Sequence, residues 1–170
     1  MRRIVLLDKA IHNRKGFSCA VELLDRYIRE RASSDVKAGA AVCYVLVDDT
    51  DPSAIIGYYT LSSSSLEFDR LPQPLQRALP KYPRQSATLL GKLAVSADHQ
   101  KKGYGEILLV DGLRRAAQTS RSIGSSFVIV DALDEDAAGY YQKFGFRRIE
   151  SAPLKLFLPM ATVEKLYEDG

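Results

Sequence analysis

The 170-residue sequence contains few residues of the kinds that bind metal ions. It has only two cysteines, Cys19 and Cys43, and two histidines, His12 and His99. The cysteines lack zinc-type spacing and have no third or fourth ligand nearby, so we interpret them as buried thiols, one in a helix and one in a strand. The histidines are far apart in sequence, and we interpret each as a surface residue rather than a ligand. The sequence therefore predicts no metal site.

A long apolar run is also missing. No stretch approaches the roughly 20 residues that a transmembrane helix needs, and the apolar part of the N-terminal MRRIVLLDKAIHN is too short for the core of a signal peptide. With 46% apolar and 26% charged residues, the composition is typical of a compact soluble domain. We expect one domain over residues 1–170, in the cytoplasm and without membrane contact.

Acidic residues are scarce in one window of the chain. From Arg70 to Lys102 there are seven basic residues and a single acid, Asp98, so this window carries a charge of +6 and the remainder −3. Clustered lysine and arginine attract polyanions. The alternative is a solvated surface whose charges serve only solubility, and for this window taken alone that alternative is favoured.

The spacing of apolar residues predicts alternating strands and helices. Turn residues in DTDPS predict a hairpin of the first two strands, and the later strand–helix–strand order predicts a parallel, right-handed crossover. Four prolines between residues 70 and 85 allow only a short helix there, with Pro74 in its first turn. The helices are expected at 19–32, 103–119 and 134–145, the last with Asp134 as N-cap and Gly145 as its end, and the strands at 40–48, 54–62, 87–95, 126–133 and 154–159.

Two glycines, Gly103 and Gly105, occur in HQKKGYGEILL, where a loop leads into a helix. A dinucleotide fingerprint requires a third glycine where Leu108 stands, and a Walker A loop requires lysine where Glu106 stands. What remains is a loop of exposed backbone N–H groups at a helix N-terminus, which suits a pyrophosphate. Glycine pairs before helices are also common as plain turns, but the preceding apolar strand favours the anion site.

The glycine loop resembles the acetyl-CoA motif of the GNAT N-acetyltransferases, in which Gln or Arg is followed by two residues, Gly, one residue, and Gly or Ala. Gln100, Gly103 and Gly105 in LAVSADHQKKGYGEILL fit this motif. Five further segments resemble, in order, the GNAT toxins of bacterial toxin–antitoxin pairs: FSCAVELLDRYI, IIGYYTLSSSS, LLGKLAV, VDALDEDAAGYYQKFGF and LFLPM. The resemblance implies an α/β fold in which a mixed, mostly antiparallel sheet with a splayed parallel strand pair is flanked by helices.

The resemblance also implies where acetyl-CoA binds. The backbone of Leu93, Ala94 and Val95 would pair with the pantetheine arm and direct an N–H at the thioester oxygen. A fixed donor at an oxygen that gains negative charge stabilises the transition state by about 3 kcal/mol. The pyrophosphate would be held by the backbone amides of Gln100, Lys101, Lys102, Gly103, Tyr104 and Gly105.

A catalytic tyrosine is implied in AAGYYQKFGF. In the family it stands four residues before the glycine of a Gly-Phe pair, which is Tyr141 before Gly145 and Phe146. A phenol with an ordinary pKa of about 10 is protonated at neutral pH and can return a proton to the leaving thiolate. Tyr140 points roughly 100 degrees away on the helix, so we assign it to packing. The alternative is that both tyrosines only pack.

The function implied is acetyl transfer from acetyl-CoA to the α-amino group of aminoacyl-tRNA by a translation-blocking toxin. An α-amine is partly neutral at pH 7 to 8, and the sequence offers no conspicuous base; Glu67 and the acids of 131–136 are candidates. The resemblance further implies a ribbon-helix-helix antitoxin and a homodimer. We assign the binding of tRNA phosphates to Arg77, Lys81, Arg84 and Lys92, with Arg14 and Lys15 as further candidates.

Two other functions stay open at this point. The enzyme could acetylate a small-molecule or protein amine instead, which a substrate pocket dominated by acids would favour. A module that binds acyl-CoA or another protein without catalysis is the third possibility, and retention of Tyr141 argues against it.

Overall fold

The computed structural model describes residues 1–168, with the side chain of the last of these left out. The predicted domain over residues 1–170 therefore includes two residues outside the described part. The chain divides into two compact units. Unit 1 comprises Met1–Ser62 and Gly91–Gly112, and unit 2 comprises Ser63–Leu90 and the chain from Leu113 onward.

Over residues 1–168, seven strands form a mixed sheet in the order β1-β2-β3-β4-β5-β7-β6, in which β4–β5 is the parallel pair. This architecture confirms the predicted fold class. The strands are β1 (Arg2–Leu6), β2 (Val42–Asp48), β3 (Gly57–Glu67), β4 (Arg84–Val95), β5 (Phe127–Asp131), β6 (Arg147–Ile149) and β7 (Ala152–Pro159). The α-helices are α1 (Glu22–Arg26), α2 (Ala32–Ala38), α3 (Gln73–Ala78), α4 (Tyr104–Thr119), α5 (Glu135–Lys143) and α6 (Met160–Glu168).

The predicted hairpin is the centre of unit 1. Strands β2 and β3 pair antiparallel from Val42 opposite Leu61 to Leu46 opposite Gly57, and β1 pairs with the other edge of β2. In the turn between β2 and β3, the Asp48 carboxylate accepts a hydrogen bond from the Thr50 N–H at 3.0 Å. Aspartate binding the backbone two residues on is the usual turn chemistry, which is why DTDPS predicted this hairpin correctly.

The first predicted helix is displaced and interrupted. It begins at Glu22 rather than residue 19, and a turn of π-helix over Tyr27–Arg31 separates α1 from α2. Cys19 therefore lies before the helix and not in it. Both thiols are nevertheless buried as predicted, in a core that also contains Phe17, Ile28 and Tyr58.

Unit 2 contains the parallel strand pair. Strand β4 pairs with β5 from Ala87 opposite Phe127 to Leu89 opposite Ile129. Within residues 1–168 this ladder ends at Leu89, although β4 itself continues for six residues to Val95. The other edge of β5 pairs with β7 as far as Asp131. The predicted parallel pair is therefore present, and its ladder covers only the first part of β4.

Among the strands and α-helices of residues 1–168, four had no sequence prediction: β1, β6, α6 and α2, which shares only Ala32 with the helix predicted over 19–32. Strand β6 has three residues, and β1 has five, of which the first two are arginines. Helix α6 begins at Met160 directly after β7, without an intervening loop. Elements this short, or joined without turn residues, leave no period long enough to read from a sequence.

The prediction that His12 lies on the surface is wrong, because its side chain is buried. It is 6% exposed, and its ring Nδ1 accepts a hydrogen bond from the Asp8 N–H at 2.9 Å. His99 is half-buried. Over residues 1–168 no cluster of His, Cys, Asp and Glu is arranged to hold a metal ion. None of the helices in that part of the chain is long and apolar enough to cross a membrane.

Candidate active site

The end of β4 is anchored by backbone hydrogen bonds from the residues that follow it. The Ser96 N–H donates to the carbonyl of Ile56 and the Ala97 N–H to that of Ser18, each at 2.8 Å. Ala94 is buried at 5% exposure, whereas Leu93 and Val95 are half-buried. The parallel ladder with β5 does not extend to Leu93, Ala94 or Val95.

Gln100 fixes the start of the glycine loop through its side chain. The amide Nε2 donates to the carbonyl of Val95 and to the carbonyl of Cys19, both at 3.0 Å. The side chain of this motif residue is therefore used to hold protein segments together. Gln100 would therefore contact a pyrophosphate through its backbone N–H rather than its side chain.

The backbone amides of the loop are open. Lys101 and Gly103 both have positive φ, of 63° and 84°. Among residues 1–168 no protein oxygen accepts a hydrogen bond from the N–H groups of residues 101–105, and the first hydrogen bond into α4 is Ile107 N–H to the Gly103 carbonyl at 3.2 Å. A series of free amides at the positive end of a 16-residue helix favours a bound anion.

The side chains of the loop have different surroundings. Lys101 and Lys102 are exposed. Tyr104 is buried, with the Arg2 guanidinium 5.1 Å from its ring centre and the His99 ring in edge contact at 6.0 Å. Its side chain therefore packs the base of the loop, and only its backbone lies among the open amides. The lysines add positive charge beside those amides.

Tyr141 lies on α5, whose start is fixed by Asp134. The Asp134 carboxylate accepts the Ala137 N–H at 2.9 Å, which confirms the predicted N-cap, and Gly145 beyond the helix has a φ of 96°. Tyr141 is 9% exposed and contacts the ring of Phe146 edge-on at 5.6 Å. Its hydroxyl donates to no residue within 1–168, so it is available to a ligand.

Burial keeps the Tyr141 phenol protonated. Desolvation, with a smaller contribution from Tyr140, raises the pKa of Tyr141 to about 12. The neutral phenol is a hydrogen-bond donor over the whole physiological pH range. The Tyr140 ring makes edge contacts with the rings of Tyr141 and Phe144, with ring centres 5.7 and 5.1 Å apart.

The four basic residues assigned to tRNA fall into both units. Arg77, Lys81 and Arg84 are exposed in unit 2, and Arg84 donates to the Ser65 hydroxyl at 3.2 Å. Lys92 belongs to unit 1, where its ammonium lies 5.4 Å from the ring centre of Tyr27 and its backbone N–H donates to the Thr60 hydroxyl. Of the further candidates, Lys15 is exposed and Arg14 is half-buried.

Four of the five acids considered as bases have partners in the structure, and the fifth, Asp136, lies in the first turn of α5. Glu67 forms an ion pair with Arg70 at 3.1 Å, Glu135 with Arg148 at 2.8 Å, and Asp131 with Lys155 at 3.4 Å. Asp134 is the helix cap described above. Because four of these carboxylates already have partners, the contacts agree with an acceptor amine that is partly neutral and needs no carboxylate base.

Sequence reasoning missed Asp25 beside the glycine loop. It is 5% exposed and accepts the Cys19 N–H at 2.8 Å. The sequence does contain a signal for it. Asp25 is four residues after Val21 and adjacent to Leu24, so helical spacing places this acid on the apolar face of the predicted helix. A carboxylate buried among apolar residues requires hydrogen-bond donors and marks a structural or functional contact.

Comparison with known proteins decides the family. The sequence profile described as "Acetyltransferase (GNAT) domain" matches residues 39–148. The chain belongs to the GNAT acetyltransferase family. It is 31% identical over 172 residues to a probable toxin TacT of Sinorhizobium fredii, covering 97% of this chain and 94% of that protein. It is 33% identical over 154 residues to a tRNA-acetylating toxin of Mycobacterium tuberculosis, covering 91% and 90% of the two chains.

Solved structures of related toxins have the same fold. A tyrosine-to-phenylalanine mutant of KacT superposes with a TM-score of 0.91 at 30% identity, covering 98% of this chain and 99% of the other. AtaT in complex with acetyl-methionyl-tRNA superposes with a TM-score of 0.90 at 26% identity and the same coverage. The predicted GNAT family and its toxin branch are confirmed, and this GNAT acetyltransferase uses acetyl-CoA as its acetyl donor.

Proposed function

We propose that this protein transfers the acetyl group of acetyl-CoA to the α-amino group of aminoacyl-tRNA and so blocks translation. The observation that carries the proposal is its similarity, over 91% of its length, to a protein named as a tRNA-acetylating toxin. The solved complex of AtaT with acetyl-methionyl-tRNA, which covers 98% of this chain, supports the same acceptor. The alternatives, an acetyltransferase of small amines or proteins and a non-catalytic binding module, are outcomes of the test below.

Acetyl-CoA fits the open backbone of unit 1. The free amides of residues 101–105 would hold the pyrophosphate, and Lys101 and Lys102 would add charge around it. The Leu93–Val95 segment, in which Leu93 and Val95 are half-buried, would bind the pantetheine arm, because the ladder of β4 with β5 ends before that point. An N–H from this segment would stabilise charge on the thioester oxygen.

Tyr141 would act as the acid. Its hydroxyl is not engaged by any residue within 1–168, and its raised pKa keeps the phenol neutral. The phenol would donate a hydrogen bond to the leaving sulfur and pass its proton over as the C–S bond breaks, and the proton lost by the attacking amine would restore the phenol. The structures of KacT and AtaT mutants in which a tyrosine is replaced by phenylalanine support a role for one tyrosine in those toxins.

The acceptor requires no strong base in this mechanism. An α-amino group has a pKa of about 7.7 to 8.0, so a large share is neutral at physiological pH, whereas a lysine side chain at about 10.4 is not. The basic residues Arg77, Lys81, Arg84 and Lys92 would bind the tRNA phosphates. Such contacts raise affinity without reading sequence.

The partners follow from the same relatives. Solved structures of AtaTR with acetyl-CoA and of a KacTA–DNA complex, each 26% identical to this chain, support a partner antitoxin. We propose that the antitoxin is of the ribbon-helix-helix type, which binds DNA, that the toxin is a homodimer, and that both act in the cytoplasm.

The test is acetyl transfer from labelled acetyl-CoA to bulk aminoacylated tRNA, with deacylated tRNA and a panel of free amines as controls. We expect label in charged tRNA only, and strong loss of transfer in Tyr141→Phe. Label in free amines but never in charged tRNA would replace the toxin with a small-molecule acetyltransferase. Binding of acetyl-CoA without any transfer would indicate the non-catalytic module.

A further inference from the structure

Residues 17–20 form a short strap that is bound on one side to the glycine loop. The Ser18 carbonyl accepts the Ala97 N–H at 2.8 Å, and the Cys19 carbonyl accepts the Gln100 side-chain amide at 3.0 Å. The Phe17 carbonyl accepts from the guanidinium of Arg29. Three consecutive carbonyls of the strap are thus fixed by donors far away in the sequence.

On its other side the strap is held by one buried carboxylate. Asp25, in α1, accepts the Cys19 N–H at 2.8 Å and lies 3.5 Å from the Ser18 hydroxyl. A hydrogen bond to an ionised acceptor is stronger than one between neutral groups, and more so when the acceptor is shielded from water. Asp25 therefore holds the peptide group between Ser18 and Cys19, whose carbonyl accepts the Ala97 N–H, and Gln100 holds the next peptide group, between Cys19 and Ala20.

Through Gln100 the strap is connected to both parts of the proposed acetyl-CoA site, which are the end of β4 and the glycine loop. The same Gln100 amide that donates to Cys19 also donates to the carbonyl of Val95, the last residue of β4. The backbone of Gln100 leads directly into Lys101, whose positive φ begins the series of open amides. A shift of the strap would therefore change the position of the loop relative to the strand end.

The strap itself adopts a conformation that needs support. Ala20 has a φ of 69°, in the left-handed region that residues with a Cβ disfavour. Such a conformation persists only where the surroundings fix it. Here Asp25 and Gln100 bind the two peptide groups that precede Ala20 and so restrain its backbone.

We propose that Asp25 is a positioning residue for acetyl-CoA, acting through the backbone of Cys19, whose N–H it accepts and whose carbonyl accepts from the side chain of Gln100. This inference depends on the proposed acetyl-CoA site. It does not depend on the nature of the acceptor amine. Asp25 contacts no reacting atom in this role; it keeps the loop in the geometry in which residues 101–105 present their N–H groups together.

The simpler alternative is that Asp25 only stabilises the start of α1. In that case its removal would lower the stability of the fold and leave the affinity of the folded protein for acetyl-CoA unchanged. A positioning role instead changes the dissociation constant of acetyl-CoA, with a smaller effect on kcat at saturating acetyl-CoA. The two roles are therefore separated by a binding measurement.

The experiment is calorimetric titration of the full chain with acetyl-CoA, without any acceptor, for Asp25→Ala and Asp25→Asn. Asparagine retains an oxygen that can accept the Cys19 N–H, so we expect Asp25→Asn to stay within about threefold of the wild-type dissociation constant. Loss of a buried hydrogen bond to a charged group corresponds to about a tenfold change, which we expect for Asp25→Ala. Tyr27→Phe is the matched control, because it removes a hydrogen bond to Asp35 from the same helical segment without touching the strap.

A double variant tests the route. If Asp25 acts through Gln100, then Asp25→Ala combined with Gln100→Ala binds acetyl-CoA no more weakly than the weaker single variant. If the fold-losses of acetyl-CoA affinity in the two single variants instead multiply in the double variant, Asp25 does not act through Gln100. An unchanged dissociation constant in folded Asp25→Ala would overturn the proposal.

A measurement on the wild-type protein covers the case in which Asp25→Ala does not fold. Linkage requires that a ligand on the loop also acts on the strap. We expect acetyl-CoA to slow hydrogen exchange at the Cys19 amide, and unchanged exchange would overturn the proposal. Since neither experiment contains tRNA, a protein that passes both and still fails to acetylate charged tRNA would refute the proposed function alone.

Discussion

Gly57 lies directly against the carbonyl of Ala94. A Cβ placed on Gly57 would be 2.8 Å from that oxygen and 2.7 Å from Cδ1 of Leu108 in α4. Leu108 can rotate, but the Ala94 oxygen belongs to the backbone of β4. Only glycine therefore allows the start of β3 to approach the strand end that we assign to the pantetheine arm.

Replacing Gly57 by alanine tests this contact. We expect Gly57→Ala to lower the free energy of unfolding by about 1–3 kcal/mol, the usual cost of overpacking, and to weaken acetyl-CoA binding because the Ala94 backbone must move. Denaturant unfolding and calorimetric titration measure the two effects. Gly124→Ala is the control, since its Cβ meets no atom within 4 Å. Equal affinity in both variants would show that the strand end tolerates displacement.

Gly103 is required for a different reason. A Cβ on Gly103 would meet no atom within 4 Å, but its φ of 84° is unfavourable for any other residue. We expect Gly103→Ala to cost about 1–2 kcal/mol if the loop keeps its conformation, or to release the loop and lose acetyl-CoA affinity. Titration with CoA and with acetyl-CoA measures the loss, which should be the same for both ligands, because the pyrophosphate is common to them. A loss confined to acetyl-CoA would contradict the assignment.

Local signals in the sequence were sufficient for most of the fold. The DTDPS turn, the Asp134 cap and the glycine before α4 each act within a few residues, and each predicted its element correctly. The residues of the GNAT motif also predicted the loop whose amides the structure shows to be open. These features could be read because their physical causes are short-range.

The contacts of the loop could not be read in the same way. The Gln100–Cys19 hydrogen bond joins residues 81 positions apart, and nothing in either local sequence indicates the partner. The burial of His12 was missed for another reason: its hydrogen bond from the Asp8 N–H spans only four residues, in a turn that has no helical or strand period. The start of α1 at Glu22 rather than Cys19 is set by the strap, so a helical period alone placed it wrongly.

The buried His12 predicts a loss of stability in acid. Burial lowers the pKa of His12 from its ordinary value of 6.5, and the opposing effect of Asp8 is smaller. Because the folded-state pKa lies below the unfolded one, the contribution of neutral His12 is complete above pH 6.5 and is lost as the pH falls through the lowered pKa. Protonation of Nδ1 would also remove its hydrogen bond from the Asp8 N–H.

Urea unfolding between pH 5 and 8 measures this contribution. We expect the free energy of unfolding of the wild type to fall below about pH 6.5. His12→Asn, which cannot titrate, should show a smaller fall over the same interval. His99→Asn is the control for the second histidine, which is only half-buried. Parallel curves for the wild type and His12→Asn would contradict the prediction.

The last prediction concerns the proton on Tyr141. Because burial raises its pKa to about 12, ionisation of this phenol should not limit kcat anywhere below about pH 10. We expect Tyr141→Phe to lower kcat by about 10²-fold or more and to leave the dissociation constant of acetyl-CoA nearly unchanged, since the hydroxyl supports no other residue within 1–168.

Tyr140→Phe separates this role from packing on the same helix. It retains the ring that contacts Phe144 and Tyr141, so we expect kcat within a few-fold of the wild type. The dependence of kcat on pH from 6 to 10, with charged tRNA as acceptor, then distinguishes deprotonation of the α-amine from proton donation by Tyr141. The rising limb belongs to the α-amine, with a pKa of about 8, and should persist in both variants. If Tyr141→Phe instead removed a pH-dependent limb below pH 10, the phenol would be titrating in that range, and its assignment as a buried acid that keeps its proton until the thiolate leaves would be wrong.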